Sequence, residues 1–526
     1  MSEPTIRLRA GRRAWIGLGV LGLPTILLAL DLSILYLALP RLSADLGATN
    51  TEQLWITDIY GFVTAGFLVT MGTLGDRIGR RRLLLIGAAA FGAASILAAY
   101  STSVAMLIGA RALMGLAGAT LMPSTLALIT NMFRDPVERA TAIAAWTSCF
   151  MVGAAVGPVV GGTLLEHFWW GALFLLGVPV MVLLLVTAPF LLPEYKDVAA
   201  ARLDLASVVL SLAAILPLIY AGKVLAVSGV TIVPVVAATV GIAASIAFVA
   251  RQRRIASPLL DLRLFRNRPF TASLFILMVG LATQSGIVLL ISEHLQVVDN
   301  LSPVRAGWAL MPASLAMIVG CIAAPIGARR IRPGWLIAAG LTITAAGYVM
   351  LAQIDGARDL RLLIVGAIFV FFGIGPMAVF SQDLIVGSVP PERAGTAAAL
   401  SETSGDLGIA LGVAVVGSIS TAVYVERLDF LPWTLPTGVA QLARESIGGA
   451  AEAARRLPSP LGDELLRRAQ SAFTAGLHTA AVASAVVNVG LAIIAVMVLS
   501  QRPSSTPARS PQSPPPPTTR ARRAAS

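Results

Sequence analysis

Among 526 residues the sequence has two cysteines and three histidines, and charged residues make up only 13% of it. The cysteines, Cys149 and Cys321, both fall in apolar stretches, so no disulfide framework is expected. Three scattered histidines and two apolar cysteines supply no metal-ligand spacing. Lysine occurs at Lys196 and Lys223, neither in a G-K-[ST] context, so no phosphate-binding Walker loop is present. Nothing here calls for a metal or an organic cofactor, and nothing provides the nucleophile and base of a hydrolase. Soluble domains carry about 25% charged residues. A chain with half that share and 56% hydrophobic residues lives mostly in lipid.

What is present is a series of long apolar runs. A membrane helix needs about 20 such residues, and fourteen candidate spans can be marked between residues 14 and 499. Their length and continuity predict helices rather than alternating barrel strands of about 10 residues. The reading is an all-α membrane protein. The net charge of +12 would suit nucleic acid, but its placement argues otherwise. Arginines cluster at 7–13, 251–268, 329–332 and 502–523, and an even span count puts all of these on one side. That is a topology signal marking the cytoplasmic face, with contact to anionic lipid as the other use of such clusters. The arginine-rich start precedes a retained first span, with no small-residue cleavage site after Leu39. The expectation is a multi-pass protein of a bacterial cytoplasmic (inner) membrane with both termini cytoplasmic.

The chain divides into a basic arm (1–13), a six-helix bundle (14–200), an inserted pair of spans (201–257), a second bundle (258–424), a long outer segment (425–472), a last span (473–500) and a proline-rich tail (501–526). A faint repeat supports this 6+2+6 order. Glu138-Arg139-Ala140 precedes span 5, and Glu392-Arg393-Ala394 precedes span 13, the fifth span of the second half. The outer segment balances six arginines against six acids, and 439–456 and 461–473 fit short amphipathic helices. It is a solvated cap, a hairpin over an exit, or a partner site. The tail has too few apolar residues to fold and is expected to be disordered.

Charge inside a span is expensive and functional by default, about 2.5–3.5 kcal/mol for an acid at a helix centre on insertion scales. The acids that qualify are Asp31 (span 1), Asp58 (span 2), Glu293 (span 9), and Glu402 and Asp406 (span 13), with Asp383 nearer the cytoplasmic end of span 12. Asp31 sits in LALDLSILYLALP and reads as a protonatable group lining a cavity, or as an acid satisfied by Ser33. Trp55 and Asp58 are three apart and share a helix face near Tyr60. An aromatic ring beside a carboxylate suits an organic cation, while an interfacial tryptophan and a solvated acid are the plainer alternative. Glu402 and Asp406 stack one turn apart. Two carboxyls this close resist ionising together, and a bound cation relieves them, so protons can be exchanged for cation. Glu293 is followed by His294 and is a weaker coupling candidate. Arg111, in LIGARALMGLAGA, is too costly to bury unpaired and requires an acid. Gly153, Gly157 and Gly161 form one stripe beside Pro158, read as a packing surface on which two halves rock. GTLGDRIGRRRLL (72–84) is a tight loop with Asp76, Arg77, Arg80, Arg81 and Arg82.

These motifs together resemble the major facilitator transporters. GTLGDRIGRRRLL matches the loop between that family's second and third spans. GAAVGPVVGGTL, PLLDLRLFRNRPF and SETSGDLGIALGVAVVGS are similar to those of fourteen-span drug:proton antiporters. AWTSCFMVGAAVGP, the Asp58 context and the long last outer segment are most like the QacA, SmvA and LfrA type, which export quaternary ammonium compounds, cationic dyes and biguanides. The resemblance implies a major facilitator fold and proton-driven efflux by alternating access, without a cofactor. It makes Asp31, Asp58, Glu402 and Asp406 proton- or substrate-binding acids. It makes Asp76, Arg77 and Arg80 part of a cytoplasmic gate, Arg111 part of proton coupling, and Gly157-Pro158 a hinge. Ser401 and Met114 depart from the family pattern, which often has glutamate and glutamine there. The partners implied are cationic drugs, protons and the bilayer, with no nucleic acid and a monomer as the working unit. A same-fold exporter of one metabolite, peptide or self-made antibiotic is the alternative.

Overall fold

The structure, a computed structural model, describes residues 10–48, 50–196, 204–228, 232–255, 260, 262–355, 359–390, 394–428 and 437–500. The basic arm before Ala10, the tail after Ser500 and the Glu392-Arg393 pair lie outside the described residues.

Helices run α1 (Arg12–Leu46), α2 (Asn50–Ile78), α3 (Arg80–Ala99), α4 (Val104–Met132), α5 (Pro136–His167), α6 (Ala172–Leu175), α7 (Gly177–Leu191), α8 (Leu205–Ser228), α9 (Ile232–Gln252), α10 (Arg268–Glu293), α11 (Pro303–Ala328), α12 (Pro333–Leu351), α13 (Leu360–Gly387), α14 (Ala394–Leu428), α15 (Thr437–Glu445), α16 (Ile447–Arg455) and α17 (Ser459–Ile494). No strand occurs among the described residues. The boundaries follow local chemistry. Asp135 caps α5 by accepting from Val137 N and Glu138 N, with Pro136 at the first position, where its missing N–H costs nothing. Ser103 and Ser302 cap α4 and α11 in the same way. Gly47, at φ +68°, ends α1 by donating to Ser43 O.

Among the described residues twelve helices are long and apolar enough to cross a membrane, and a thirteenth appears if α5 is taken as one bent span. Of the fourteen expected spans the remaining position is α8, where a shorter apolar stretch covers Ala206–Leu218.

Packing repeats itself. In the N-terminal set α1 lies on α5, α2 on α4, and α3 on α4 and α7. In the C-terminal set α10 lies on α14, α11 on α13, and α12 on α13 and α17. The two sets meet along two seams, α2 against α14 and α5 against α11. The pair α8 and α9 hangs outside, with α8 on α2 and α14. At its arginine-rich end the pair is pinned by a two-pronged bond from Arg251 to Asp204 (2.8 and 2.9 Å), which holds the half-buried Asp204 carboxyl well below the usual carboxylate range. The long segment after α14 forms α15, α16 and the first turns of α17. Tyr424 on α14 donates to Ala443 O at 2.7 Å, and Ile447, Ala450 and Ala453 are buried beneath.

Candidate functional site

The deepest charged group is on α4. Arg111 is fully buried, and its Nη1 donates to Asp31 on α1 at 2.5 Å. Its Nε reaches Ile56 O on α2 at 3.4 Å, and its Cζ lies 4.8 Å over the Tyr60 ring and 6.0 Å from Phe174. The acid that Arg111 requires is therefore Asp31. Tyr60 can approach because α4 offers glycine: a Cβ on Gly115 would sit 2.5 Å from Tyr60 O, and one on Gly118 would sit 2.8 Å from the Tyr60 hydroxyl. A narrow crevice of about 10 Å³ beside Asp31 is lined by Leu27, Ile34, Phe91, Met114 and Phe174, room for about one water.

The C-terminal set meets this group through α14. Glu402 and Asp406 sit one turn apart on α14, which packs against α2 and α4, the helices that carry Tyr60 and Arg111. Glu402 Oε1 is buried without a hydrogen-bond partner among the described residues. Asp31, Tyr60 and Arg111 thus form one polar group in the N-terminal set, and Glu402 and Asp406 lie on the helix that packs against α2 and α4 beside it.

Other expected residues go elsewhere. Trp55 is 42% exposed while Tyr60 is buried, so the two do not share a face. Trp55 packs toward Phe62 (centroids 6.3 Å apart), and Phe62 toward Tyr220 on α8 (6.5 Å). Asp58 lies on α2, but its side chain is outside the described residues, as is that of Pro158. Glu293 ends α10 beside the buried His294, whose Nε2 lies 3.9 Å from Asp299. The glycine stripe of α5 does not form the expected contact between halves. Cβ atoms on Gly153 and Gly161 would strike Ile26 O (2.2 Å) and Ile34 (2.9 Å) of α1, within the N-terminal set. Small residues there let α1 and α5 close on each other. Around Gly157 and Pro158, α5 bends by 40° between Ala154 and Val159.

At the arginine-rich end, the tight loop expected over 72–84 is shorter than that run. The run is the end of α2, one residue, Gly79, and the start of α3. Gly79 has φ +110°, open to glycine and strained for other residues. Arg80 turns back, buried, donating to Gly72 O (2.6 Å) and forming an ion pair with Asp76. The other Asp76 oxygen crosses to the C-terminal set, accepting from Thr396 N (3.1 Å) and Thr396 Oγ1 (2.9 Å). A carboxylate on the first turn of α14 meets unpaired N–H groups and the positive helix end. Gly395 is required beside it, since a Cβ there would overlap Arg80 Nη2. Arg77 is half-buried at the same helix end. A second crossing was not anticipated: Arg139 on α5 donates to Asp383 on α13 at 2.5 Å, and Thr147 donates to Gln382 at 3.3 Å. The signals for it were the intramembrane Asp383 and the charged start of span 5, but neither identifies the other as its partner.

The chain matches the Major Facilitator Superfamily over residues 21–413. It belongs to that family. It is 43% identical over 489 residues to the multidrug efflux pump LfrA of Mycolicibacterium smegmatis, covering 93% of this chain and 97% of the relative. It is 33% identical to the methyl viologen resistance protein SmvA of Salmonella typhimurium over 90% of this chain and 95% of that one. It is 30% identical to the tetracenomycin C resistance and export protein of Streptomyces glaucescens over 91% of each. Among solved structures, the human organic anion transporter MFSD10 (TETRAN) superposes with TM-score 0.60 at 17% identity, over 93% of this chain and 99% of that one. At that identity the likeness concerns the fold alone. The chain is a membrane-embedded, all-helical major facilitator protein.

Proposed function

We propose that this chain is a multidrug efflux antiporter that exports lipophilic and quaternary ammonium cations against protons by alternating access. The observation that carries the reading is the buried carboxyl of Glu402, one turn from Asp406 on α14, the helix that packs on α2 and α4 beside the Tyr60, Arg111 and Asp31 group. A cation entering between these carboxyls displaces a proton, and a proton arriving from the other side displaces the cation. Tyr60 offers an aromatic face beside the Arg111–Asp31 ion pair. LfrA and SmvA, by their names a multidrug efflux pump and a methyl viologen resistance protein, support the cationic substrate class.

On this reading the arginine-rich face is cytoplasmic, the membrane is the bacterial inner membrane, and the organisation is 6+2+6 spans. The protein works as a monomer, needs no cofactor and performs no covalent chemistry. Asp76, Arg80, Arg139 and Asp383 form the cytoplasmic gate, with Arg77 at its rim. The bend at Gly157-Pro158 is the hinge of the α5 side. Asp58 is a proton- or substrate-binding acid of α2, and Glu293 is a secondary acid. Each proton yields about 1.4 kcal/mol per pH unit, and each charge about 2.3 kcal/mol per 100 mV.

The test is ethidium efflux in proteoliposomes under an imposed pH gradient, comparing wild type with Glu402→Gln and Asp406→Asn. Gradient-driven efflux that is lost in both variants supports the reading. Folded wild type that moves no ethidium and no methyl viologen overturns it and directs the search to a single natural product, as the name of the tetracenomycin relative suggests.

A further inference from the structure

A separate cavity of about 410 Å³ opens on the face opposite the arginine-rich one, between α17, the end of α14 and the segment after α12. Its volume is in the range of small-molecule sites. One stripe of α17 lines it, with Arg467, Gln470, Ser471, Thr474 and His478 spaced by three and four residues. Arg427, in the last turn of α14, completes the wall, with Asp355 as the one acid among the described lining residues. A polar stripe is costly where α17 approaches the membrane unless its groups are satisfied.

Several of these groups are already committed. His478 Nε2 lies 2.8 Å from Ile354 O, and a carbonyl only accepts, so that nitrogen carries the proton. The Gln470 amide donates to Val297 O at 2.9 Å, and Thr474 donates to Gln470 O. Arg467 is paired with Glu464 on the exposed side, which takes one edge of a five-donor group. The capacity left over is that of two guanidinium groups on different helices and the Ser471 hydroxyl. Two exposed guanidinium groups lining one polar cavity offer donors that fit the oxygens of a phosphate or carboxylate.

We propose that this cavity binds an anionic oxygen group of the phosphate or carboxylate class between Arg427 and Arg467, either free in solution or as the headgroup of a lipid beside α17. The site is distinct from the acids Asp31, Glu402 and Asp406 and does not depend on what the chain transports. Bound there, the anion ties the end of α14 to the base of the α15–α17 segment. Asp355 confines it to the arginine side.

The test uses the purified full chain in detergent, with inorganic phosphate as one probe and phosphatidylglycerol against phosphatidylcholine as the other. Phosphate is read by calorimetry and lipid by native mass spectrometry. Wild type is expected to bind phosphate, or to retain phosphatidylglycerol over phosphatidylcholine. Arg427→Gln/Arg467→Gln is expected to weaken that binding by at least about tenfold, as loss of charged hydrogen bonds does. Arg427→Lys/Arg467→Lys keeps the charge and retains more binding than the glutamine pair, which separates loss of the site from misfolding. Arg455→Gln, outside the cavity, leaves binding unchanged. Phosphate binding alone identifies a solution anion, and phosphatidylglycerol retention alone identifies a lipid headgroup. Wild type that binds neither, or a glutamine pair that binds as wild type does, overturns the proposal.

Discussion

Arg111 on α4 and Asp31 on α1 form a buried ion pair at 2.5 Å, with the Tyr60 ring stacked under the guanidinium. One partner has no exposed surface and the other little, so each depends on the other for its counter-charge. Removing one leaves the other uncompensated, which costs about 3–5 kcal/mol, whereas replacing both by apolar groups costs far less. Asp31→Ala should therefore melt well below wild type in detergent. Asp31→Leu/Arg111→Met should recover most of the loss while remaining inactive in ethidium efflux. A double variant that melts no higher than Asp31→Ala would mean the pair does not account for the instability.

The two crossings at the arginine-rich end should act as latches. Asp76 to Thr396 and Arg139 to Asp383 join the helix sets there. Spin labels at Arg134 and Pro390, in a Cys149→Ser/Cys321→Ser background, report the separation of the two sets. Arg139→Gln and Asp76→Asn should each shift the distance distribution to longer values, and the pair together further. Gly395→Ala should do the same by displacing Arg80. Unchanged distributions would remove these contacts from any gating role.

Much of this was legible because membrane chemistry constrains the sequence. Every long apolar run that was expected carries a helix, since no other open structure satisfies its backbone in lipid. The cost of a buried guanidinium announced that Arg111 needs an acid. Partners distant in sequence were not legible. Thr396 lies 320 residues from Asp76, and no local pattern marks it. The glycine stripe of α5 signals close packing but not against which helix, and the structure chooses α1. Trp55 and Tyr60 were grouped by proximity, yet a separation of five residues does not keep them on one helix face. The run 72–84 looked like a loop because of its charge, but Arg80 folds back into the protein and only Gly79 breaks the helix.

Asp299 provides a pH signature outside the spans. It follows the short π-helical turn His294–Val298 that ends the α10 region, and burial pushes its carboxyl up to about 6. An acid whose folded pKa is raised costs stability when ionised. That cost is absent below the unfolded value of about 4, grows between about 4 and 6, and is complete above 6. Asp299→Asn removes the charge at every pH. It should raise the melting temperature at pH 7.5 and by about half as much at pH 5. His294, 3.9 Å away, is the charged neighbour to control for, through Asp299→Asn in a His294→Gln background. A gain from Asp299→Asn that is equal at both pH values would show that the ionised carboxylate carries no penalty.

The aromatic series Trp55, Phe62 and Tyr220 links α2 to the inserted helix α8, and it gives the pair α8–α9 a testable part in substrate handling. Ring centroids 6.3 and 6.5 Å apart form a graded row of π faces starting from a half-exposed tryptophan. A cation over such a face gains about 0.5–1 kcal/mol at exposed sites, a two- to fivefold effect on affinity. Tyr220→Leu and Trp55→Leu keep apolar bulk and remove the π face. Each should raise KM for ethidium about two- to fivefold with kcat little changed. Tyr220→Phe, which keeps the face and loses only the hydroxyl, should behave as wild type. If Tyr220→Phe is as impaired as Tyr220→Leu, the hydroxyl is what matters. If none of the variants moves KM, the row is packing between α2 and α8, as the contact of Gly66 with Leu212 and Leu216 already is.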